Sequence, residues 1–158
     1  VEEREGFAVM TTLREAVKNV LKTDATLLAL ATGGIYDAED VGRKGLTIET
    51  IRGSGVAINP AIFLRWTTEN RLNPDVLRVQ QAFVQIYFYQ DVGFDICRQM
   101  RQRVLTLLHQ QSVAFDEPSG WYCFALVWVG DVLEQYDDQL GGAHYERSRY
   151  QVDIGRPI

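Results

Sequence analysis

Histidine and cysteine are nearly absent from this chain, two of each in 158 residues. Neither His109 nor His144 has a cysteine or carboxylate at metal-ligand spacing, so both read as surface or hydrogen-bonding histidines. Cys97 and Cys123 fall in apolar surroundings, one on a helix and one on a strand. They read as two buried thiols rather than a disulfide or a metal site. Positive charge is also short. Lys and Arg number 16 against 21 Asp and Glu, a net charge of −5, which argues against a general nucleic-acid-binding surface. There is no signal peptide and no apolar run of membrane-spanning length, so the expectation is synthesis in the cytoplasm and no membrane partner. No repeat or low-complexity segment occurs. G-x-S-x-G and strand–GxGxxG–helix units are missing, and Gly53-Ser-Gly55 lacks the length and the Lys-Ser/Thr of a phosphate loop. The acidic pairs Glu39-Asp40 and Asp137-Asp138 are weak cation signals. No catalytic, cofactor or metal residue is assigned, and no enzyme activity is expected.

What is present is ordinary globular composition, 46% hydrophobic and 23% charged, enough for one domain over residues 1–158 with a core of its own. The organising stretch is Val79–Val132, read as strand, helix, strand. In the first β run, Val79–Gln90, one face carries Ala82, Val84, Ile86 and Phe88 and is plain core. The other carries Phe83, Gln85, Tyr87 and Tyr89, aromatic with polar tips. Asp91-Val92-Gly93 breaks the strand. A helix then spans Phe94–Gln111, with Ile96, Cys97, Met100, Val104, Leu107 and Leu108 on its apolar face. Arg98, Arg101 and Arg103 read as a solvated or subunit-facing edge. The second β run, Trp121–Val132, has almost no polar residue. It is either covered on both faces or meets a partner chain, and the shortage of helical sequence for a second layer favours the partner.

The remaining chain fills in around this unit. Val1–Val9 is a flexible extension ahead of a helix that Thr12 and Glu15 could cap. In that helix Leu13, Ala16, Val17, Val20 and Leu21 form the apolar face, and Arg14, Lys18 and Lys22 a solvated one. Thr23-Asp24 caps a short helix, Ala25–Ala31, which Gly33-Gly34 ends. Ile35-Tyr36 resumes an extended path. Residues 37–59 are expected to form a protruding hairpin or loop. Ala61–Thr67 is a strand antiparallel to Val79–Gln90, with Ile62, Leu64 and Trp66 on one face. Leu133–Gly142 reads as polar and flexible, and Ala143–Ile154 as a last strand antiparallel to the second β run, with Tyr150, Val152 and Ile154 inward. The fold class is α+β: a mixed, largely antiparallel four-stranded sheet with helices packed on one face. The crossover between its two hairpins should be right-handed. The other face is aromatic and without cover. Candidate interface residues are Phe83, Tyr87, Tyr89, Trp121, Trp128 and Tyr145. Candidates for a loop reaching a neighbour are Asp37, Glu39, Asp40, Arg43, Lys44 and Arg52.

The order of these elements resembles the tail-terminator or tail-completion proteins of long-tailed bacteriophages and related gene transfer particles. The resemblance covers about Leu13–Ile154. It is carried by Leu13–Leu21, Leu27–Leu30 with Gly33-Gly34-Ile35-Tyr36, Pro60-Ala-Ile-Phe-Leu64, the β run to Tyr89, the helix Ile96–His109, Asp137-Asp138 and the closing strand Tyr145–Ile154. It implies a structural virion protein without catalytic residues or cofactor. Its copies would form a homo-hexameric ring that caps the tail tube and joins it to the head-tail connector or stopper, in virions assembled in the bacterial cytoplasm. Genomic DNA would pass through the lumen unbound. Six acidic copies, about −30 in all, suit that passage because they disfavour counterion-release binding. A stopper or tail tube protein is the near alternative. A ligand-binding or enzymatic α+β domain is the distant one, and it would need a concave pocket with converging polar groups.

Overall fold

The computed structural model describes residues 13–37, 57–68, 79–113, 122–123, 125–138 and 142–155. Within them, helix α1 covers residues 13–22 and buries Leu13, Val17 and Leu21, one residue per turn. Helix α2, Ala25–Leu30, follows directly, its first turn closed by Asp24, whose carboxylate accepts from the Leu27 N–H at 2.9 Å. The same carboxylate is gripped by Arg103 on α3 (Asp95–Leu108), through Nε at 2.9 Å and Nη2 at 2.6 Å. One side chain thus both starts α2 and fastens it to α3.

Strand β1 (Gly34–Asp37) runs parallel to β2 (Ala61–Thr68), which pairs antiparallel with β3 (Val79–Gln90). The antiparallel partner of β3 on its other side is β6 (Ala143–Gly155). Beyond β6 lie β4 (Tyr122–Cys123), at its C-terminal end, and β5 (Val127–Asp137), along the rest, both antiparallel to it. The α+β class and the mixed sheet stand, but the four expected strands become six among the described residues. Ile35-Tyr36 is not merely extended chain but the middle of β1. Its approach to β2 is close. A Cβ on Gly33 would sit 2.7 Å from the Asn59 carbonyl oxygen, and the Gly33 N–H donates to Pro60 O at 2.7 Å.

The apolar run Trp121–Val132 does not form one strand. Leu126 interrupts it, because its backbone groups pair with the end of the helix region instead of β6. Its N–H donates to Gln111 O at 3.0 Å, and its carbonyl accepts from the Gln110 N–H at 2.7 Å. Nor does the second strand stop at Val132. Leu133–Asp137, expected to be flexible, continue β5 through a bulge in which Glu134 takes a positive φ of 54°. Trp121 and the loop candidates Glu39, Asp40, Arg43, Lys44 and Arg52 lie outside the described residues, as do Thr12 and the N-terminal extension.

The helices lie on the face carrying Ala82, Val84, Ile86 and Phe88 of β3, Ile62 and Leu64 of β2, and Tyr150, Val152 and Ile154 of β6, all buried. Met100, Val104 and Leu108 of α3 fill the space above them. Burial of each such side chain contributes about 1.5–3 kcal/mol, more than helix propensity supplies, so docking decides where α3 lies. Its start is unusual. Phe94 at the cap position offers no hydrogen bond, and Gln90 of the preceding strand substitutes. The Gln90 Oε1 accepts from the N–H groups of Ile96 at 3.0 Å and Cys97 at 3.1 Å, while its Nε2 donates to Asp95 Oδ1 at 2.6 Å and Val92 O at 2.9 Å.

Candidate assembly surface

Five of the seven exposed large apolar side chains among the described residues lie on β5; Leu28 and Val92 are the others. Val127, Trp128, Val129, Leu133 and Tyr136 are all exposed, Trp128 by 40% and Tyr136 by 63%. Among the described residues β5 pairs only with β6, so it forms one edge of the sheet. Two irregularities in the register, at Trp128/Gly130 and Val132/Gln135, break the in-out alternation of side chains. Three consecutive residues, Val127 to Val129, are left facing solvent as a result. Such a stripe is what a protein buries against another chain when it has one available.

A polar cluster on the helix side holds this edge in place. Asp131 accepts from Arg101 Nη1 at 2.9 Å, from Ser148 Oγ at 2.6 Å and from Trp128 Nε1 at 3.0 Å. Arg101 also reaches Glu146, only 2% exposed, through Nε at 3.2 Å. The exposed Trp128 is therefore fixed at its indole N–H by Asp131 and at its backbone N–H by the Nδ1 of His109, 3.1 Å away. The three arginines of α3, expected to form one solvated or subunit-facing edge, do not share a single environment. Arg101 and Arg103 are in internal ion pairs and only Arg98 is exposed. Lys18, expected on a solvated face, pairs with Asp37 at 2.9 Å. Asp37 itself ends β1 rather than reaching out from a loop.

The second candidate surface, the aromatic face of the sheet, largely covers itself. Phe83 and Tyr89 are each only 8% exposed. The Arg149 guanidinium lies 3.9 Å above the Phe83 ring, and Arg147 lies 5.8 Å from that of Tyr87. Phe63, Tyr87 and Tyr145 surround Tyr89 with ring centroids 5.2–6.3 Å away. The Tyr89 hydroxyl donates to Asp137 at 2.9 Å, and burial beside that carboxylate pushes its pKa far up. Of the five expected interface residues among the described ones, Trp128 is exposed, Tyr87 and Tyr145 are half-buried, and Phe83 and Tyr89 are buried.

His144, near the start of β6, lies opposite Tyr136 at the far end of β5. Its ring stacks on Phe94 at 4.8 Å, meets Tyr136 edge-on at 4.6 Å, and takes the Gly93 N–H on Nδ1 at 2.6 Å. Both histidines are thus hydrogen-bonded. Cys97 and Cys123 are buried free thiols, and burial raises the pKa of both, for Cys97 to about 12. Among the described residues no group of three or more His, Cys, Asp or Glu side chains could hold a metal, and no helix is long and apolar enough to cross a membrane. The run Trp121–Val132, with Val127 and Val129, is expected to meet a partner chain, but the exposed apolar residues beyond it, Leu133 and Tyr136, fall in a stretch expected to be polar and flexible. Gly130-Asp131, the one polar break in the apolar run, was the available sign that this strand bends at an edge.

No family model and no curated protein matches the sequence. Sixteen chains of solved structures match it in three dimensions. One belongs to a structure described as the "Virion of native gene transfer agent (GTA) particle". It superposes with a TM-score of 0.72 at 15% identity, covering 94% of this chain and 98% of that one. The two share a fold. The likeness runs end to end on both chains, so the protein is similar to a whole virion-particle chain rather than to a module within a larger one.

Proposed function

We propose that this protein is a structural component of a phage-like or gene-transfer virion, and within it a ring-forming tail terminator. The observation that carries the reading is the end-to-end fold likeness to a chain of a gene transfer agent virion. The exposed apolar stripe on the edge strand supports it, since a head-to-tail ring is one way to bury such a stripe on every copy. On this reading a homo-hexameric ring caps the finished tail tube, contacts the tube protein on one side and the head-tail connector or stopper on the other, and lets DNA through an acidic lumen without binding it. Its place is the neck of the virion, its role is assembly, and it performs no catalysis.

The test is the mass of the purified protein by light scattering after size exclusion, over a range of concentrations and with tail tubes added, together with negative-stain images. The expected result is a closed ring, alone or formed when tubes are added. Open-ended tubes would make it a tube protein. A monomer indifferent to tail tubes would end the ring reading.

A further inference from the structure

Resting on that ring reading, we infer that the contact between subunits joins the acidic, apolar β5 edge of one copy to the basic side of α1 and the α1–α2 corner of the next. The two surfaces differ in charge. Val127–Asp137 contains no Lys or Arg but three carboxylates, Asp131, Glu134 and Asp137, and Asp138 follows. Asp131 and Asp137 are engaged inside the subunit, which leaves Glu134 and Asp138 as the exposed acids among the exposed apolar side chains. Residues 13–22 carry Arg14, Lys18 and Lys22, one turn apart, against a single acid, Glu15. Lys18 is engaged inside the subunit by Asp37, a pair that turns this stripe toward β1 at the other end of the sheet, so the half-buried Arg14 and the exposed Lys22 carry its remaining positive charge. The corner that follows adds apolar surface, the exposed Ala25, Leu28 and Ala29 of α2.

One copy cannot satisfy both surfaces by itself. The strand order β1-β2-β3-β6-β5 separates the two edges by four steps, roughly 19 Å at the usual strand spacing. A second copy placed head to tail meets both demands, and repeating the operation produces a ring. Side chains, not strand addition, make the contact. The two bulges break the outer row of backbone groups on β5, and the Trp128 N–H is already taken by His109. In such an interface the apolar stripe supplies affinity, while the opposed charges fix partner and register.

The test is charge reversal with complementation on the full chain. Glu134→Lys and Lys22→Glu each place like charges across every contact, so each alone should weaken assembly about tenfold or more at low salt. An equimolar mixture of the two variants restores opposite charges at every contact of an alternating ring, and assembly should return to near the wild-type level. Asp138→Lys repeats the experiment away from the bulge, with unchanged thermal unfolding as the check on folding. Single variants that assemble as the wild type does, or a mixture that fails to recover, overturn this contact and leave the ring reading intact. A wild-type protein that forms no ring with or without tail tubes overturns the ring reading itself and this contact with it.

Discussion

Replacing Gln90 with leucine tests whether one buried amide holds the central helix in register. Gln90 is 6% exposed and makes four hydrogen bonds around the start of α3. Leucine keeps nearly the same volume, so the loss is of hydrogen bonding rather than packing. The Cys97 N–H lies in the core, and leaving a buried donor unpaired costs about 1–3 kcal/mol. Loss of the cap at the half-buried Ile96 adds about 1 kcal/mol. Asp95 is exposed, and water replaces the amide there. The expected loss is about 2–4 kcal/mol, read from urea unfolding followed by circular dichroism, or roughly 5–15 °C in melting temperature for a chain of this size. An unchanged denaturant slope would confirm that stability alone has moved. A companion, Gln90→Glu, keeps the acceptor for both N–H groups but sets a second carboxylate beside Asp95. In the wild type the Gln90 amide holds the Asp95 pKa low, so the wild type loses stability as pH falls through the carboxylate range. In the variant the paired acids raise one another's affinity for protons, so its deficit relative to the wild type should shrink over the same range. A leucine variant within about 1 kcal/mol of the wild type would refute the view that this amide caps the helix.

Other consequences follow from single groups. The Tyr150 hydroxyl is buried with no hydrogen-bond partner, so Tyr150→Phe should be neutral or stabilising by up to about 1 kcal/mol in the same urea assay; a clear loss would reveal a partner for it. Hydrogen bonding to Arg103 lowers the Asp24 pKa, so that pair contributes stability above the ordinary carboxylate pKa that is lost as pH falls through the lowered one. The deficit of Arg103→Met should therefore be fully present at neutral pH and shrink below about pH 4, which urea curves at both ends of that range would measure. Burial raises the pKa of both thiols, so a disulfide reagent at pH 8 should leave Cys97 and Cys123 unmodified in the native protein and label both in denaturant; rapid native labelling would contradict the burial.

Local pattern was enough for much of this architecture. Alternation in Ala82–Tyr89 and in Tyr145–Ile154 assigned both strands and their inward faces, because a strand side chain has only two directions available. The i, i+4 spacing in α1 and α3 named the buried residues for the same reason, and Asp24 marked its helix start because capping is a contact three residues long. Beyond the two antiparallel pairings β2–β3 and β5–β6, the sequence could not set which pairs meet across the fold. Placing β6 between β3 and β5, interrupting β5 at Leu126, and pairing Lys18 with Asp37, Arg101 with Asp131 and Glu146, and Arg103 with Asp24 are all long-range outcomes. They turned residues that periodicity placed on solvated faces into internal ties. They also moved the exposed apolar surface from the aromatic sheet face, where Arg147, Arg149 and neighbouring rings supply cover, to the bulged outer strand. Periodicity fixes which way a side chain points relative to its own backbone. What it meets there depends on the rest of the chain, and in this protein that decided which apolar side chains stay exposed.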